Sequence, residues 1–215
     1  MEIKIVRQIL EWNENCHLEL QGLFDENKIL MINIMGSPGG GKTTFITRLI
    51  EALRDEYNIG VIEGDVAGQV DAEKIQAMGI PVVQLNTDGA CHIEAMSIKN
   101  ILPYFDLKNL DIIIVENIGN LVCPAEFDIG EHLKIALLSV PEGDDKVEKY
   151  PLMFTRSNAL VISKYDMKNY FNFDDNRVIS NAKRLNSELN IFKVNSSVGE
   201  GMVEIVEYIK SHIKK

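Results

Sequence analysis

Short apolar runs alternate with amphipathic stretches along most of this chain. Runs rich in Val, Ile, Leu and Met predict buried strands at residues 29–35, 57–63, 80–85, 110–116, 134–140, 159–163 and 191–195. Apolar residues at helical spacing predict helices between them, at 44–53, 175–189, 202–213 and in the stretches that end at Met78 and Tyr104. This alternation predicts an α/β fold whose mostly parallel sheet is covered by helices on both faces. The polar segment from Glu142 to Pro151 carries neither pattern, and we interpret it as a solvated loop.

Residues 1–28 precede the first predicted strand and predict a further helix. Apolar side chains recur here every three to four residues, from Ile3 to Cys16. We therefore expect an N-terminal helical extension, residues 1–28, followed by one domain, residues 29–215. Cys16 and His17 are neighbours, which point in different directions on a helix, so we interpret them as a partly buried cysteine and a surface histidine rather than as a metal site.

Composition and charge exclude several classes of partner. The formal net charge is −10, and an acidic surface repels the phosphates of nucleic acid. No apolar run is long enough to span a membrane, and the first residues do not resemble a signal peptide. Three cysteines, an odd number, favour a reducing compartment over disulfides. We therefore expect a cytoplasmic protein with no nucleic-acid partner and no membrane partner.

A glycine-rich turn, Gly-Ser-Pro-Gly-Gly-Gly-Lys-Thr-Thr, follows the first strand and opens the next helix. The glycines and the Lys-Thr pair have the spacing of a P-loop. Small residues let backbone N–H groups approach phosphate oxygens, and the helix N-terminus adds a partial positive charge. We expect Lys42 to reach the β- and γ-phosphates and Thr43 to bind Mg²⁺. The predicted nucleotide-binding residues of the turn are Gly36, Ser37, Pro38, Gly39, Gly40, Gly41, Lys42, Thr43 and Thr44.

Carboxylates follow two of the predicted strands. Asp65 and Asp71 come after the second strand, and Glu116 ends the strand at 110–116. The carboxyl ends of parallel strands are where an α/β sheet places its chemistry, and carboxylate oxygens suit Mg²⁺. We expect Asp65 or Asp71 to hold Mg²⁺ directly or through water, and Glu116 or Asp71 to position the attacking water. A helix N-cap is the alternative role for Asp65, and Gly119 offers its backbone N–H to the γ-phosphate.

A Lys-x-Asp tripeptide after the strand at 159–163 indicates guanine recognition. The carboxylate of Asp166 can accept hydrogen bonds from N1–H and the exocyclic amine of guanine, while the stem of Lys164 covers the ring. Adenine offers no such pair of donors, so GTP is the expected nucleotide. Ser196 and Ser197 follow the next strand, where a G-domain supplies backbone contacts to the base.

Cys91, His92 and Cys123 follow different predicted strands and can meet at one end of the sheet. Two thiolates and an imidazole suit Zn²⁺ or Ni²⁺. One protomer offers only three ligands, so the site needs an open position or a second copy across a two-fold axis. Buried cysteines without a metal are the alternative interpretation.

With these residues together, the chain resembles the HypB family, GTPases that help to deliver nickel to [NiFe]-hydrogenase. The resemblance covers about residues 1–214. It is most specific in Glu-Asn-Ile-Gly-Asn-Leu-Val-Cys-Pro-Ala-Glu-Phe-Asp-Ile-Gly-Glu, residues 116–131. Further matching segments lie at residues 36–44, 64–65 with Asp71, 91–95, 142–145 and 163–166.

The resemblance implies a P-loop NTPase G-domain, SIMIBI-like, in residues 29–215. It implies hydrolysis of GTP to GDP and phosphate, a homodimer promoted by GTP, and a Ni²⁺ or Zn²⁺ site formed by Cys91, His92 and Cys123 near the dimer interface. The implied partners are a HypA-type nickel metallochaperone and the [NiFe]-hydrogenase large subunit.

The chain departs from the family pattern at a few positions. It has neither the Cys-rich motif nor the His-rich tract that some members carry, so we expect no nickel storage. Ser163 stands where Asn or Thr is common, so we expect weaker support of the P-loop from this position. Ile93-Glu94 stands where Leu-Asp is common in the family.

Three alternatives fit parts of the pattern. An ATP-dependent small-molecule kinase shares the P-loop but needs lid arginines, which are scarce in the central part of this chain. A urease-type nickel GTPase would carry a Cys-Pro-His motif, which is absent. A metal-binding scaffold with a degenerate nucleotide site is disfavoured by the intact Lys42, Thr43 and Glu116.

Overall fold

The computed structural model describes residues 2–65, 70–87 and 89–214, and only the backbone of residues 2–10 and 65. Its strands are β1 (Leu30–Gly36), β2 (Ile59–Asp65), β3 (Val82–Asn86), β4 (Ile112–Glu116), β5 (Leu133–Ser139), β6 (Ala159–Ser163) and β7 (Asn190–Lys193). They form one sheet in the order β3-β2-β4-β1-β5-β6-β7, and every neighbouring pair is parallel. The predicted α/β fold is confirmed, and the order reverses around β1, which carries the P-loop at its carboxyl end.

The α-helices of the described residues are α1 (Glu2–Glu26), α2 (Lys42–Leu53), α3 (Val70–Ala77), α4 (Ala95–Ile101), α5 (Lys146–Lys149), α6 (Pro151–Arg156), α7 (Asp175–Leu185) and α8 (Met202–Lys210). The interpretation of 142–151 as a solvated loop was wrong, because α5 lies within it. Val147 of α5 is fully buried and packs in the apolar core beside Phe154 of α6. A four-residue helix with one buried side chain is too short to produce a recognisable periodicity.

Successive side chains of β1 point to opposite faces of the sheet and meet different helices. Ile32 and Ile34 pack in the cluster that contains the buried sides of α2 and α8. Met31 packs with Leu20 and Phe24 of α1 on the other face. Burial of such a side chain stabilises the fold by about 1.5–3 kcal/mol, so both helical layers are held to the sheet by apolar packing.

Helix α1 covers one face of the sheet and belongs to its apolar core, since Cys16, Leu20 and Phe24 are buried there. The division of the chain at residue 28 stays a prediction. Across the described part of the chain, α1 included, every helix is either too short or too polar to cross a membrane.

Candidate nucleotide and metal sites

The P-loop turns from the end of β1 into the first turn of α2. Gly39 has φ +72° and Gly41 has φ +94°, left-handed conformations that favour glycine. Gly41 is the N-cap residue of α2, so the positive end of the helix faces the space above the loop. A pocket of about 550 Å³ lies there, lined by loop residues and by the ends of β2 and β4. This is the geometry with which a backbone can cradle phosphates.

Lys42 presents a buried cation to this pocket. Its side chain is only 7% exposed, and its Nζ lies 3.3 Å from the carbonyl oxygen of Ser37 and 3.5 Å from that of Gly36. The nearest carboxylate oxygen, Oε1 of Glu116, is 3.9 Å away. These contacts are long for hydrogen bonds to an ammonium group, so the cation is available to an anionic ligand.

Thr43, Asp71 and Glu116 converge beside the P-loop. The Thr43 hydroxyl lies 3.1 Å from Oε1 of Glu116 and 3.3 Å from Oδ2 of Asp71, and it can donate to either carboxylate. One hydroxyl and two carboxylates are the oxygen donors that Mg²⁺ prefers. Asp65 ends β2, but its side chain lies outside the described residues.

Glu63 is a residue of this site that sequence reasoning missed. It lies directly opposite Glu116 in the β2–β4 register, lines the same pocket and is 3% exposed. Its Oε2 has no hydrogen-bond partner among the described residues, nor has Oε2 of Glu116. Burial, and next the charge of Glu116, raise the pKa of Glu63 to about 9. A polar residue inside a buried strand was the available signal, but the register was needed to pair it with Glu116.

Burial also raises the pKa of Glu116, while Lys42 and the Thr43 hydroxyl act against that shift. Two buried carboxyl groups side by side, each with an unpartnered oxygen, favour protonation while the pocket is empty and can ionise when a cation binds between or beside them. This observation fits a Mg²⁺–nucleotide complex at the P-loop.

Two neighbours fix the P-loop from outside. Oε2 of Glu142 accepts hydrogen bonds from the backbone N–H of Ser139 at 2.8 Å and from its hydroxyl at 2.6 Å, while Oε1 accepts one from the Ser37 hydroxyl. Gly119 packs against Pro38, and an added Cβ would lie 2.8–2.9 Å from Pro38 atoms. Gly119 is therefore held against the P-loop, the position expected for a residue whose backbone N–H is offered to the γ-phosphate.

A second groove, of about 220 Å³, adjoins the first and shares Gly41, Thr44 and Lys164 with it. Asp166, Ser196 and Ser197 line this groove, so the residues predicted for base recognition lie together beside those predicted for phosphate. Two further features fix the groove.

The first is the segment that carries Lys164. Lys164 has φ +52°, and its Nζ donates to the Gly39 carbonyl at 2.7 Å. The Ser163 hydroxyl donates to the Gly40 carbonyl, also at 2.7 Å. Serine at this position, where Asn or Thr is common in the family, therefore still supports the P-loop.

The second is Arg48 of α2, which the sequence analysis did not single out. Its guanidinium donates to the carbonyl of Ser196 at 2.7 Å and to that of Ser197 at 2.6 Å, so it holds the backbone of the serine loop.

Cys91, His92 and Cys123 meet, although the two cysteines are 32 residues apart. The Sγ atoms are 2.9 Å apart, Sγ of Cys91 is 3.6 Å from Nδ1 of His92, and one ligand atom from each residue lies within 4.8 Å of the others. Cys91 is exposed and Cys123 half-buried. The donor set suits Zn²⁺ or Ni²⁺.

His92 is held for ligation by packing. Its ring stacks on Phe127, with ring centroids 3.9 Å apart, and Nε2 is buried with no hydrogen-bond partner in the described part of the chain. Burial lowers the pKa of His92, which favours the neutral imidazole that a metal requires. The hydrogen bond between the two sulfurs, and next burial, raise the pKa of Cys123, so the metal-free pair keeps a proton that a metal would displace.

Cys16 lies on the buried side of α1 and is not part of this group. The interpretation of His17 as a surface residue was wrong: its side chain is 11% exposed, and Nδ1 accepts the backbone N–H of Gly130 at 2.9 Å.

Two asparagines link the nucleotide pocket to the cysteine cluster. Asn117, next to Glu116, is fully buried, and its Oδ1 accepts the N–H of Ile118 at 2.9 Å and that of Ile93 at 3.4 Å. Asn120 donates its backbone N–H to the Gly36 carbonyl at 3.0 Å and its side-chain amide to the Cys91 carbonyl at 3.4 Å. The segment after β4 therefore contacts both the P-loop and the Cys-His segment.

Comparison with known proteins gives consistent matches. The matching family model is described as CobW/HypB/UreG, nucleotide-binding domain, and spans residues 30–193. The hydrogenase maturation factor HypB of Escherichia coli K12 is 38% identical over 211 residues, which are 98% of this chain and 72% of that protein.

Two crystal structures are similar throughout. HypB from Helicobacter pylori in complex with nickel has a TM-score of 0.87 and 34% identity, over 94% of this chain and 97% of that one. HypB from Archaeoglobus fulgidus has a TM-score of 0.89 and 31% identity, over 95% of this chain and 100% of that one. With the P-loop pocket and the Cys-His-Cys group in place, these matches show that the chain belongs to the HypB family of hydrogenase maturation factors.

Proposed function

We propose that this protein hydrolyses GTP to GDP and phosphate, and that the bound nucleotide controls a nickel ion held by Cys91, His92 and Cys123. The observation that carries the proposal is the position of one segment. Residues 116–123 run from the acidic end of the nucleotide pocket to the cluster, and Asn117 and Asn120 fasten it to both. A change in the pocket can therefore reach a metal ligand through a few bonded residues.

In the nucleotide pocket, the P-loop amides and Lys42 hold the phosphates, and Asp166 accepts the N–H groups of guanine. Thr43, with Asp71 or Asp65, would hold Mg²⁺, which supplies charge neutralisation at the phosphates. Glu116 or Asp71 accepts a hydrogen bond from the attacking water and orients it. Gly119, packed against Pro38, offers its N–H to the γ-phosphate.

At the cluster, two sulfurs and one imidazole nitrogen leave at least one coordination position open. Because Cys91 is exposed, a second copy of the chain can supply the remaining ligands across a two-fold axis. We propose a homodimer promoted by GTP. Ni²⁺ with sulfur and nitrogen ligands favours square-planar geometry, whereas Zn²⁺ in the same site would be tetrahedral.

The nickel is cargo in this proposal. A relative from Helicobacter hepaticus that is 38% identical carries the name hydrogenase/urease maturation factor HypB, and the similar H. pylori structure is a complex with nickel. By this likeness, we propose that the protein receives nickel from a HypA-type metallochaperone and passes it toward the [NiFe]-hydrogenase large subunit.

A nickel titration in the presence of GDP or of a non-hydrolysable GTP analogue tests the proposal, with mass measured in the same samples. The variants are Cys91→Ala and Cys123→Ala, and Cys16→Ala is the matched control because Cys16 lies outside the cluster. We expect nickel to bind at one ion per protomer or per dimer, with an affinity that differs between the nucleotides. Both cluster variants should lose binding and the control should keep it.

If nickel binds equally well to the wild type and to both cluster variants, the metal role is overturned and the nucleotide site is unaffected by that result. The nucleotide preference is tested separately, by competition between GTP and ATP for the wild-type protein. Preference for ATP would overturn the GTPase assignment and favour the kinase alternative.

A further inference from the structure

One face of α1 carries polar side chains at four-residue spacing, Asn13, His17 and Gln21. They contact backbone groups at three positions within residues 128–131. Asn13 donates to the Asp128 carbonyl at 2.8 Å, His17 accepts the Gly130 N–H at 2.9 Å, and Gln21 lies 3.4 Å from the Glu131 carbonyl. The helix thus fastens the segment that follows Cys123.

Asn13 also fastens the segment that carries the other two ligands. Its Oδ1 accepts the backbone N–H of Ala95 at 2.9 Å, across 82 residues of sequence. Ala95 lies three residues after His92, and Asp128 lies five residues after Cys123. A single amide that is only 8% exposed therefore bridges the two ligand-bearing segments.

The helix that carries Asn13 is itself fixed. Leu20 and Phe24 are fully buried in the core, and an added Cβ on Gly130 would lie 2.7 Å from Cβ of Leu20. The amide thus projects from a rigid helix, whereas both segments it joins are largely irregular between β3 and α4 and between β4 and β5. The helix therefore adds rigidity to two segments that have little regular secondary structure of their own.

We infer that Asn13 is a positioning residue for the metal site: it fixes the separation between the Cys91-His92 segment and the Cys123 segment. This inference rests on the proposed function of the cluster. Loss of the amide would leave two backbone groups without partners and free both segments to move. The ligands would then have to be ordered when the metal binds, which lowers affinity.

A purely structural role for Asn13 is the competing explanation. Ala95 is the first residue of α4, and Glu94 makes no side-chain cap there, so Asn13 satisfies an N–H that the helix leaves open. A residue that acts only as a cap would change the stability of the protein and leave nickel affinity unchanged in the folded population.

The test titrates nucleotide-free protein with Ni²⁺ and follows thiolate-to-nickel charge-transfer absorption. The variants are Asn13→Ala and Asn13→Asp, and Asn15→Ala is the matched control, an exposed asparagine on the same helix. We expect Asn13→Ala to weaken nickel binding about 10- to 100-fold, as for other residues that support metal ligands. Asn13→Asp keeps the acceptor for Ala95 but places a charge against the Asp128 carbonyl, so we expect a smaller loss.

GDP affinity and the thermal midpoint, measured on the same samples, report on folding and on the nucleotide pocket. Unchanged nickel affinity in folded Asn13→Ala would overturn the inference, and if that variant does not fold, unchanged affinity in Asn13→Asp would do so. The proposed function, and not only this inference, would be overturned if the wild type bound no nickel. The same would follow if the wild type and Cys123→Ala bound nickel with equal affinity.

Discussion

The nucleotide pocket and the cysteine cluster lie at the same end of the sheet but are built differently. The pocket is made largely of one turn and the adjacent ends of β2 and β4, and its ionisable residues Lys42, Glu63 and Glu116 are buried. The cluster joins two separate segments, and Cys91 is exposed. Hydrogen bonds from nearby strand ends hold the P-loop, whereas the segments of the cluster are held in part by a helix that is distant in sequence.

This difference indicates which substitutions should affect each site most. A pocket of buried charges depends on the balance of those charges, so substitutions inside it should have large and local effects. A cluster on two segments depends on what orders them, so substitutions far along the sequence should alter it. The segment after β4 joins the two sites, and the following predictions use it.

The largest effect is expected from removing the buried cation. Lys42→Ala should weaken GDP binding about 100- to 1,000-fold, because the phosphates lose a charge partner in a buried pocket. Nickel affinity of the nucleotide-free variant should not change. Titration with a fluorescent GDP analogue and with Ni²⁺ measures both, and Lys108→Ala, an exposed lysine, is the control. Loss of nickel binding without nucleotide would show that the two sites are not built independently.

A smaller effect, still within the nucleotide site, is expected from Asp166→Asn. The amide can accept only one of the two guanine N–H groups, so GDP affinity should fall about 100-fold. Xanthine nucleotides, which carry an acceptor at that edge, should bind better than to the wild type. Competition among GDP, XDP and ADP measures this, with Asp55→Asn as an exposed control. Equal binding of ADP and GDP by the wild type would contradict the assignment of the groove to guanine.

Asn117→Ala should affect both sites, since this side chain joins them. The N–H groups of Ile118 and Ile93 lose their acceptor and Asn33 loses its donor, which we expect to lower the free energy of unfolding by about 2 kcal/mol. The ratio of nickel affinities with GDP and with the GTP analogue should approach one. Urea unfolding and nickel titration measure these quantities, with exposed Asn109→Ala as the control. An unchanged ratio would mean that another route couples the sites.

The nucleotide-free protein should also show a pH dependence of its free energy of unfolding. Because the pKa of Glu63 is raised to about 9, the folded chain keeps a proton that the unfolded chain releases above its ordinary pKa. The stability from this group is present below the ordinary pKa and is lost as pH rises toward the folded value. The slope is about 1.4 kcal/mol per pH unit for one full proton.

Glu63→Gln should make this slope shallower, and urea unfolding between about pH 6.5 and about pH 8.5 measures it. Glu73→Gln, an exposed glutamate, is the control and should retain the slope of the wild type. Equal slopes in wild type and Glu63→Gln would show that Glu63 is ionised in the folded protein.

Much of the nucleotide site was predictable because its information is local. The turn from Gly36 to Thr44 follows a buried strand and precedes a helix, and glycine is required where φ is positive, as at Gly39 and Gly41. The apolar runs predicted every strand of the described sheet, and the inner strands β1, β4, β5 and β6 are clear because burial on both faces leaves a continuous hydrophobic stretch.

The sequence alone thus determined the strands, the P-loop and the types of residue at each site, because these depend on neighbours along the chain. Only the tertiary structure decided which distant residues meet. The β2–β4 register placed Glu63 beside Glu116, and the packing of α1 brought Asn13 to both segments of the cysteine cluster. Such contacts depend on how crossovers and helices pack across the sheet, and no local pattern specifies a distance between residues that are 82 positions apart.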